Sequence, residues 1–180
     1  MEATVRRYVT EQEFLSWPET HEHFELLDGE IIVTPPPLWH QQRLVGSLYL
    51  VLSAWSQGRT DAWTVGLSPC ALRFGRDRIL EPDLFVLQGT LDDAVRPPIL
   101  TVPTLCVEVL SSDREYDRRT RRLVYAAAGV REFWAVDPRG AIERFTGADL
   151  AERVQVSDTL TSLVLPELTV DVTALMRGGR

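Results

Sequence analysis

Apolar and polar positions along the chain change their spacing several times, and each spacing predicts a different element. Thr10 opens a capping-box pattern that predicts a short helix over Glu11 to Trp17. Residues 24–33, FELLDGEIIV, form two apolar runs around Asp28-Gly29, a dipeptide typical of a tight hairpin turn. From Leu38 to Gln57 the apolar residues recur at helical spacing, so we expect one long helix there.

The middle of the chain carries two strongly apolar runs. Residues 79–87, ILEPDLFVL, predict one strand with Pro82 near its start or at a bulge. Residues 104–110, TLCVEVL, are apolar enough to predict a central strand covered on both faces. A helix from Asp113 to Ala128 should follow, because Gly129 stands where a helix C-terminus favours glycine.

The last third of the chain predicts strands more than helices. Residues 131–137 should form a strand, and residues 141–147 and 152–156 should form edge strands. A short helix is expected to start near Asp171. The strand–helix–strand unit from Leu105 through Val136 predicts a parallel crossover, and the order of elements indicates an α/β fold with a mixed sheet.

We expect residues 1–180 to form a single domain, since no repeat, low-complexity tract or linker interrupts them. An N-terminal helix and hairpin (1–37) would precede a core of about residues 38–146. Residues 147–180 would form a C-terminal extension.

Composition fits a globular domain. The 180 residues are 44% hydrophobic, enough to bury a substantial core. No apolar run approaches the roughly 18–20 residues of a membrane span, and the N-terminus lacks the apolar segment of a secretory signal. We therefore expect a cytoplasmic protein without a membrane partner, in which Cys70 and Cys106 are reduced core thiols.

The formal net charge is −7, and all 19 basic residues are arginine; the chain has no lysine. Overall acidity argues against nonspecific binding to nucleic acid, although a local basic surface can still serve. Arginine also transfers protons poorly at neutral pH because its pKa is high.

Two acids lie at the edge of, or inside, apolar strands: Asp83 in EPDLFVL and Glu108 in CVEVLSS. A buried charge is costly unless it is paired or neutralised. If the two strands are neighbours, one acid should be protonated unless a cation lies between them. Mg²⁺ or Mn²⁺ would suit such oxygen ligands and would also suit phosphate chemistry. Alternatively, Asp83 is a turn acid and Glu108 pairs with a buried arginine.

Six motifs in a fixed order carry a resemblance to a known family. They are FELLDGE (24–30), His40-Gln41, EPD (81–83), VEVLS (107–111), the set Asp117, Arg121 and Tyr125, and GVREFWAVDP (129–138). Together they resemble the Uma-type endonucleases of the PD-(D/E)XK, restriction-endonuclease-like superfamily. The resemblance covers about two-thirds of the chain.

The resemblance implies a restriction-endonuclease-like fold, a central mixed β-sheet flanked by helices with the N-terminal hairpin as an extension. It implies that Asp83 is the metal-binding aspartate of the PD motif. Glu108 would be the acid of the E-x-K motif, and the Val109 carbonyl a further ligand of Mg²⁺ or Mn²⁺. The implied activity is hydrolysis of DNA phosphodiester bonds. A homodimer is also expected, from the resemblance and from the surplus of aromatic and edge-strand residues.

The sequence departs from this family pattern in its cations. Leu110 occupies the lysine position of the superfamily motif, Arg121 occupies the helical position where relatives carry lysine, and Ser112 replaces a usual proline. Arg121 can hold a phosphate or pair with Glu108 but should not act as a base. If the protein cleaves DNA, Arg121 would act as an electrostatic stabiliser.

Arg114, Arg118, Arg121 and Arg122 follow helical spacing and should share one face. That face is either a solvated helix surface or a phosphate-contacting surface beside the metal. Tyr125, one turn beyond Arg121, could position it through its hydroxyl or pack against the neighbouring strand.

Four further residues are candidates for the site. His40 and Gln41 open the long helix, where they either reach the site or serve as surface or core hydrogen-bonding residues. Glu25 and Glu30 flank the hairpin turn and could each supply an acid, although exposed hairpin carboxylates are the simpler interpretation.

Three functions remain open at this point. The first is a metal-dependent DNA endonuclease. The second is a nuclease-fold protein that binds nucleic acid or protein without cleaving, which the missing lysine and the −7 charge favour. The third is an acid–base enzyme that uses Asp83 and Glu108 as a dyad without metal.

Overall fold

The computed structural model describes residues 8–18, 23–34, 36–110 and 116–177 of the chain. Its strands, in chain order, are β1 His23–Leu27, β2 Glu30–Thr34, β3 Trp63–Leu67, β4 Leu72–Gly75, β5 Arg78–Leu80, β6 Leu84–Gln88, β7 Leu105–Val109, β8 Glu132–Asp137, β9 Ala141–Thr146, β10 Glu152–Val156, β11 Thr159–Thr161 and β12 Thr169–Asp171. Its α-helices are α1 Glu11–Leu15, α2 Trp39–Gln57, α3 Arg122–Ala128 and α4 Val172–Arg177.

The predicted hairpin forms, with β1 and β2 joined at Asp28 and Gly29, both at positive φ (50° and 84°). Glycine adopts this backbone conformation freely and aspartate tolerates it, so the dipeptide sets the turn. The hairpin does not stand alone. Strand β1 also pairs with β5, giving a four-stranded sheet in the order β2-β1-β5-β4.

The single strand predicted over residues 79–87 is wrong. The run divides at Pro82, because β5 belongs to the four-stranded sheet and β6 belongs to the central sheet. Proline cannot donate a ladder hydrogen bond, so the chain can change partners there. Asp83 therefore lies where the chain passes from one sheet to the other.

The central sheet has six strands in the order β10-β9-β8-β7-β6-β3. Strands β7 and β8 are parallel and the other neighbouring pairs are antiparallel, which confirms the expected mixed sheet and the parallel β7–β8 pair. Strand β7 lies inside the sheet, and all five of its residues are buried. Strand β9, predicted as an edge, instead lies between β8 and β10, so of these two predicted edge strands only β10 lies at an edge.

Each face of the central sheet has its own core. On one face Val107 and Val109 pack in a cluster with Leu44 and Leu48 of α2. On the other face Cys106 and residues of β4 and α3 form a second cluster. Because side chains alternate along a strand, Glu108 belongs to the second face.

The long predicted helix is confirmed as α2, followed by Gly58 as its C-cap. The helix predicted from Asp113 to Ala128 is only partly described, since residues 111–115 lie outside the described part. A π-helical turn, Tyr116–Arg121, leads into α3, which ends at Gly129 with φ 95°. No helix in the described residues has the length and apolarity to cross a membrane.

The C-terminal segment, from Ser157 onwards, contains more regular secondary structure than the sequence predicts. Helix α4 begins one residue after Asp171, close to the expected position. Strands β11 and β12, which we did not predict, form a separate antiparallel pair. Leu160 and Val170 of this pair, together with Leu175 of α4, join the core on the α2 side of the central sheet.

Candidate active site

Glu108 is held by two groups from the helical segment that follows its strand. It is only 4% exposed. The Tyr125 hydroxyl donates a short hydrogen bond to Glu108 Oε1, and Arg121 Nη1 lies 3.3 Å from the same oxygen. The chain itself thus supplies a cation and a hydrogen-bond donor to this buried carboxylate.

Arg121 also binds a second buried acid, Glu25 of β1. Its Nη1 donates to Glu25 Oε1 at 3.0 Å and its Nη2 donates to Oε2 at 2.7 Å. This two-point contact is the strong geometry for arginine and a carboxylate. One guanidinium therefore joins a strand of the four-stranded sheet to a strand of the central sheet.

The expectation that Glu25 is an exposed hairpin carboxylate is wrong, since the residue is only 2% exposed. Strand β1 has neighbours on both sides, so it is not the edge of a free hairpin. The backbone amide of Glu81 also donates to Glu25 Oε1 at 2.7 Å. Glu30, by contrast, is exposed at the start of β2.

Asp83 faces Glu108 across neighbouring strands. Leu84 of β6 pairs with Val107 of β7, and continuing this antiparallel register by one residue sets Asp83 opposite Glu108. Residues opposite each other in such a ladder point to the same face of the sheet. Asp83 Oδ2 also accepts a 2.7 Å hydrogen bond from the Val109 amide. The two acids that the sequence singled out therefore converge.

Burial is the main influence on the pKa of Glu108. It raises that pKa well above the usual range, and the charges of Asp83 and Glu25 raise it further, while Arg121 and the Tyr125 hydrogen bond lower it. Burial likewise raises the pKa of Tyr125, which keeps its hydroxyl protonated as a donor. Glu108 is therefore protonated more easily than an exposed glutamate, despite the guanidinium beside it.

Arg121 stays charged in this cluster. Burial alone would lower its pKa, but the neighbouring Glu108, Tyr125 and Glu25 outweigh burial and raise that pKa well above its usual value. Because it cannot release a proton here, Arg121 acts as a fixed positive charge.

Tyr125 combines the two roles that the sequence left open. Its hydroxyl lies 3.4 Å from Arg121 Nη1 and donates to Glu108. Its ring packs against Phe74 at 4.7 Å and against Phe133 of β8 at 5.6 Å, measured between ring centroids. These contacts fix the ring so that the hydroxyl points at the carboxylate.

Gln41 and His40, at the start of α2, lie in different environments. Gln41 is buried; its Nε2 donates to the Leu110 carbonyl at 3.3 Å, next to the end of β7, and its Oε1 accepts from the Leu38 amide at 2.8 Å. His40 is exposed. Of this pair, Gln41 is the residue that the structure brings to the end of the site strand.

The common arginine face predicted for the helix is wrong. Arg118 pairs with buried Glu143 of β9 at 2.5 Å, and Arg122 donates to the Leu150 carbonyl at 2.8 Å, whereas Arg121 points to Glu25 and Glu108. The π-helical turn widens the backbone, so residues three apart no longer lie close on one side. Arg114 falls outside the described residues. That these arginines contact phosphate stays a prediction. The contacts with protein groups described above do not support it.

The donor set suits a small divalent ion. Mg²⁺ takes one or two protein carboxylates and keeps several waters, which matches the pair Asp83 and Glu108. The charges of Asp83 and Glu25 disfavour the ionised form of Glu108, and a cation bound between Asp83 and Glu108 would favour it. Within the described residues, no group of three or more His, Cys, Asp or Glu side chains is placed to hold an ion. A ligand role for the Val109 carbonyl stays a prediction.

The sequence pattern that revealed Glu108 also applies to Glu25. Each is an acid between two apolar residues of a strand, V-E-V in one case and F-E-L in the other. The burial of Glu25 could not be read from this pattern alone, because it depends on the pairing of β1 with β5.

The mixed α/β fold of this chain is shared with a solved structure. The structure is similar to a crystal structure from Anabaena variabilis described as "a putative nuclease belonging to DUF820", with a TM-score of 0.78 and 20% sequence identity. The match covers 94% of this chain and 98% of that chain. At this identity the likeness establishes the fold.

The family follows from the sequence itself. Residues 11–173 match the model of the family described as "Uma2: Putative restriction endonuclease". The match spans most of the chain, so this protein belongs to the Uma2 family, and the predicted family and fold are confirmed. No curated protein matches the chain.

We expect Arg121→Met to lower the free energy of unfolding by about 3–5 kcal/mol, because it leaves Glu25 and Glu108 as unpaired buried acids. Urea denaturation at neutral pH measures the loss. The matched control is Arg139→Met, which breaks the exposed pair with Asp137 and should change stability little. Adding Glu25→Gln to Arg121→Met should restore part of the loss. Equal stability of Arg121→Met and wild type would contradict the buried network.

Proposed function

We propose that this protein is a divalent-metal-dependent endonuclease that hydrolyses phosphodiester bonds of DNA at a site formed by Asp83 and Glu108. The observation that carries the proposal is the β6–β7 register, which, continued by one residue, sets these two acids opposite each other on one face of the central sheet. Membership of the Uma2 family supports the reaction class. The partial exposure of Asp83 supports access of substrate to the site.

Asp83 and Glu108 would hold Mg²⁺ or Mn²⁺, with the Val109 carbonyl as a further ligand. When bound, such an ion activates water and neutralises charge that develops on phosphate oxygens. Glu108 contributes its carboxylate in the ionised form, which its high pKa disfavours until another cation is present.

Arg121 and Tyr125 act as positioning residues in this proposal. Both contact Glu108 Oε1, so they fix the rotamer of the carboxylate. Arg121 is only 5% exposed and its guanidinium is already paired with Glu25, so direct contact of Arg121 with substrate is disfavoured. A base for the attacking water must therefore be the substrate phosphate, solvent or a side chain other than Arg121.

The proposal includes a homodimer that presents two sites to the two strands of DNA. Strand β2 supports it, as the edge strand of its sheet with Val33 58% exposed. Trp39, 80% exposed at the start of α2, supports it as well. Exposed apolar surface of this kind is common at interfaces between subunits.

A second candidate function is a nuclease-fold module that binds nucleic acid or protein but no longer cleaves. The closed contact of Arg121 with Glu25 and Glu108 favours it, because the family's lysine is replaced by a cation already engaged with two acids. The absence of any lysine from the chain points the same way.

Supercoiled plasmid DNA tests the proposal. Wild type with Mg²⁺ or Mn²⁺ should nick the plasmid, and EDTA should stop the reaction. We expect Asp83→Asn and Glu108→Gln each to lower the rate by roughly two orders of magnitude or more, the scale for losing a group that stabilises developing charge. Asp61→Asn, an exposed acid outside the site, serves as the control.

Two further readouts sharpen this test. Mg²⁺ should raise the melting temperature of wild type and leave that of Asp83→Asn unchanged, since a ligand of the native state stabilises it. A dimer with two sites should also yield linear plasmid early in the reaction. Divalent-dependent nicking that survives both acid substitutions would show that cleavage occurs elsewhere.

Arg121→Lys separates the two candidate functions. If the wild type is an endonuclease, we expect the variant to keep cleaving, because an ammonium still supplies a positive charge beside Glu108, although the two-point contact with Glu25 is lost. Its stability should fall, as measured by urea denaturation. Arg122→Lys is the control on the same helix. If the wild type does not cleave DNA and the Arg121→Lys variant does, the wild type is instead a non-cleaving module in which only the lysine ammonium group is missing.

A further inference from the structure

A cavity of about 320 Å³ lies between α1 and the start of β1, and one of its lining residues is Glu81, two positions before Asp83. Its walls are largely aromatic: Phe14, Trp17 and Phe24. The Trp17 ring lies 5.5 Å from Phe14 and 5.8 Å from Phe24 between centroids, and it meets Phe24 edge to face at 88°. Trp17 remains 37% exposed. This volume is of the size that small-molecule sites occupy.

The polar groups of the cavity are His23 and Glu81. Glu81 Oε2 lies 3.4 Å from His23 Nδ1, and the Glu81 side chain is 19% exposed. A carboxylate in an aromatic cavity is a selective hydrogen-bond acceptor, and it repels phosphate.

The cavity is linked to the proposed cleavage site through Glu81, one of its lining residues. Glu81 donates its backbone amide to Glu25, the partner of Arg121, and only Pro82 separates it from Asp83. A nucleic-acid strand with a phosphate at Asp83 would therefore have an adjoining nucleotide beside Glu81. Aromatic side chains that flank such a strand bind bases by stacking.

Resting on the proposed nuclease function, we propose that this cavity binds one unstacked nucleobase next to the cleaved phosphodiester. Trp17 provides the stacking surface. Glu81 accepts a hydrogen bond from an exocyclic amino group of the base. The ligand is thus a base presented by a single strand or by an opened duplex.

The Glu81 carboxylate predicts which bases fit. Cytosine presents an amino group at the position where thymine presents a carbonyl oxygen, and acidic side chains accept hydrogen bonds from that amino group. Thymine would set its oxygen against the partly buried Glu81 carboxylate and leave a polar group unpaired, which costs free energy. The cavity should therefore prefer cytosine over thymine.

Fluorescence anisotropy of labelled oligo-dC and oligo-dT, in EDTA at pH 7.5, tests this inference without cleavage. We expect wild type to bind oligo-dC more tightly than oligo-dT. Trp17→Ala should weaken oligo-dC binding by roughly 5- to 150-fold, the range for loss of one stacked base. Trp17→Phe, which keeps an aromatic face, should retain most of the affinity. Glu81→Gln should remove the difference between the two oligonucleotides.

Leu15→Ala is the matched control, because Leu15 is an exposed residue at the end of α1, two positions before Trp17, and does not line the cavity. Melting curves of each variant show whether it is folded. Equal wild-type affinity for the two oligonucleotides would overturn the inference, and so would unchanged oligo-dC binding by folded Trp17→Ala. Binding of an arginine-rich peptide can be measured with the same variants. If Trp17→Ala weakens peptide binding but not oligonucleotide binding, the cavity binds a protein partner and the base-binding inference is overturned.

The nicking assay reports on the proposed function separately. If Trp17→Ala binds and cleaves as wild type does, the base-binding inference fails and the nuclease proposal stands. If wild type binds oligo-dC through Trp17 but nicks no DNA under any divalent ion, the cavity remains a base-binding site and the nuclease proposal fails.

Discussion

The guanidinium of Arg121 lies between two carboxylates that come from different sheets, Glu25 of β1 and Glu108 of β7. All three groups are nearly excluded from solvent. Desolvating them is costly, and such a pair often stabilises a protein no more than well-packed apolar residues would. Removing one partner, however, leaves a buried charge without its counterion. We infer that the network fixes how the four-stranded sheet packs on the central sheet, and with it the positions of the acids at their junction.

That constraint explains why Glu108 can lie in the middle of a buried strand. Arg121 and Tyr125 hold one oxygen of its carboxylate, and Asp83 lies across the neighbouring strand. The pKa of Glu108 remains well above its usual range because the guanidinium does not offset both burial and the nearby acids. In the proposed endonuclease, a divalent cation between Asp83 and Glu108 would favour the ionised form of Glu108 and neutralise charge on phosphate oxygens. Since arginine keeps its proton, it can position Glu108 but cannot replace a lysine that acts as a base.

Much of this arrangement could be predicted from local patterns, and the rest depended on which strands become neighbours. Asp83 and Glu108 stood out because each is an acid in an apolar strand context, and the hairpin and α2 followed from turn chemistry and helical spacing. The burial of Glu25 could not be predicted in the same way, because it required the run at 79–87 to divide at Pro82 so that β5 could pair with β1. The separate directions of Arg118 and Arg121 depended on a π-helical turn, which has no clear signal in the sequence.

Anomalous diffraction from crystals grown with Mn²⁺ tests the central claim most directly. The account predicts one strong peak that lies roughly 2 Å from carboxylate oxygens of both Asp83 and Glu108, with Arg121 still bound to Glu25. Crystals saturated with Mn²⁺ that show no peak between these two acids, and Glu108 bound only by Arg121 and Tyr125, would contradict it.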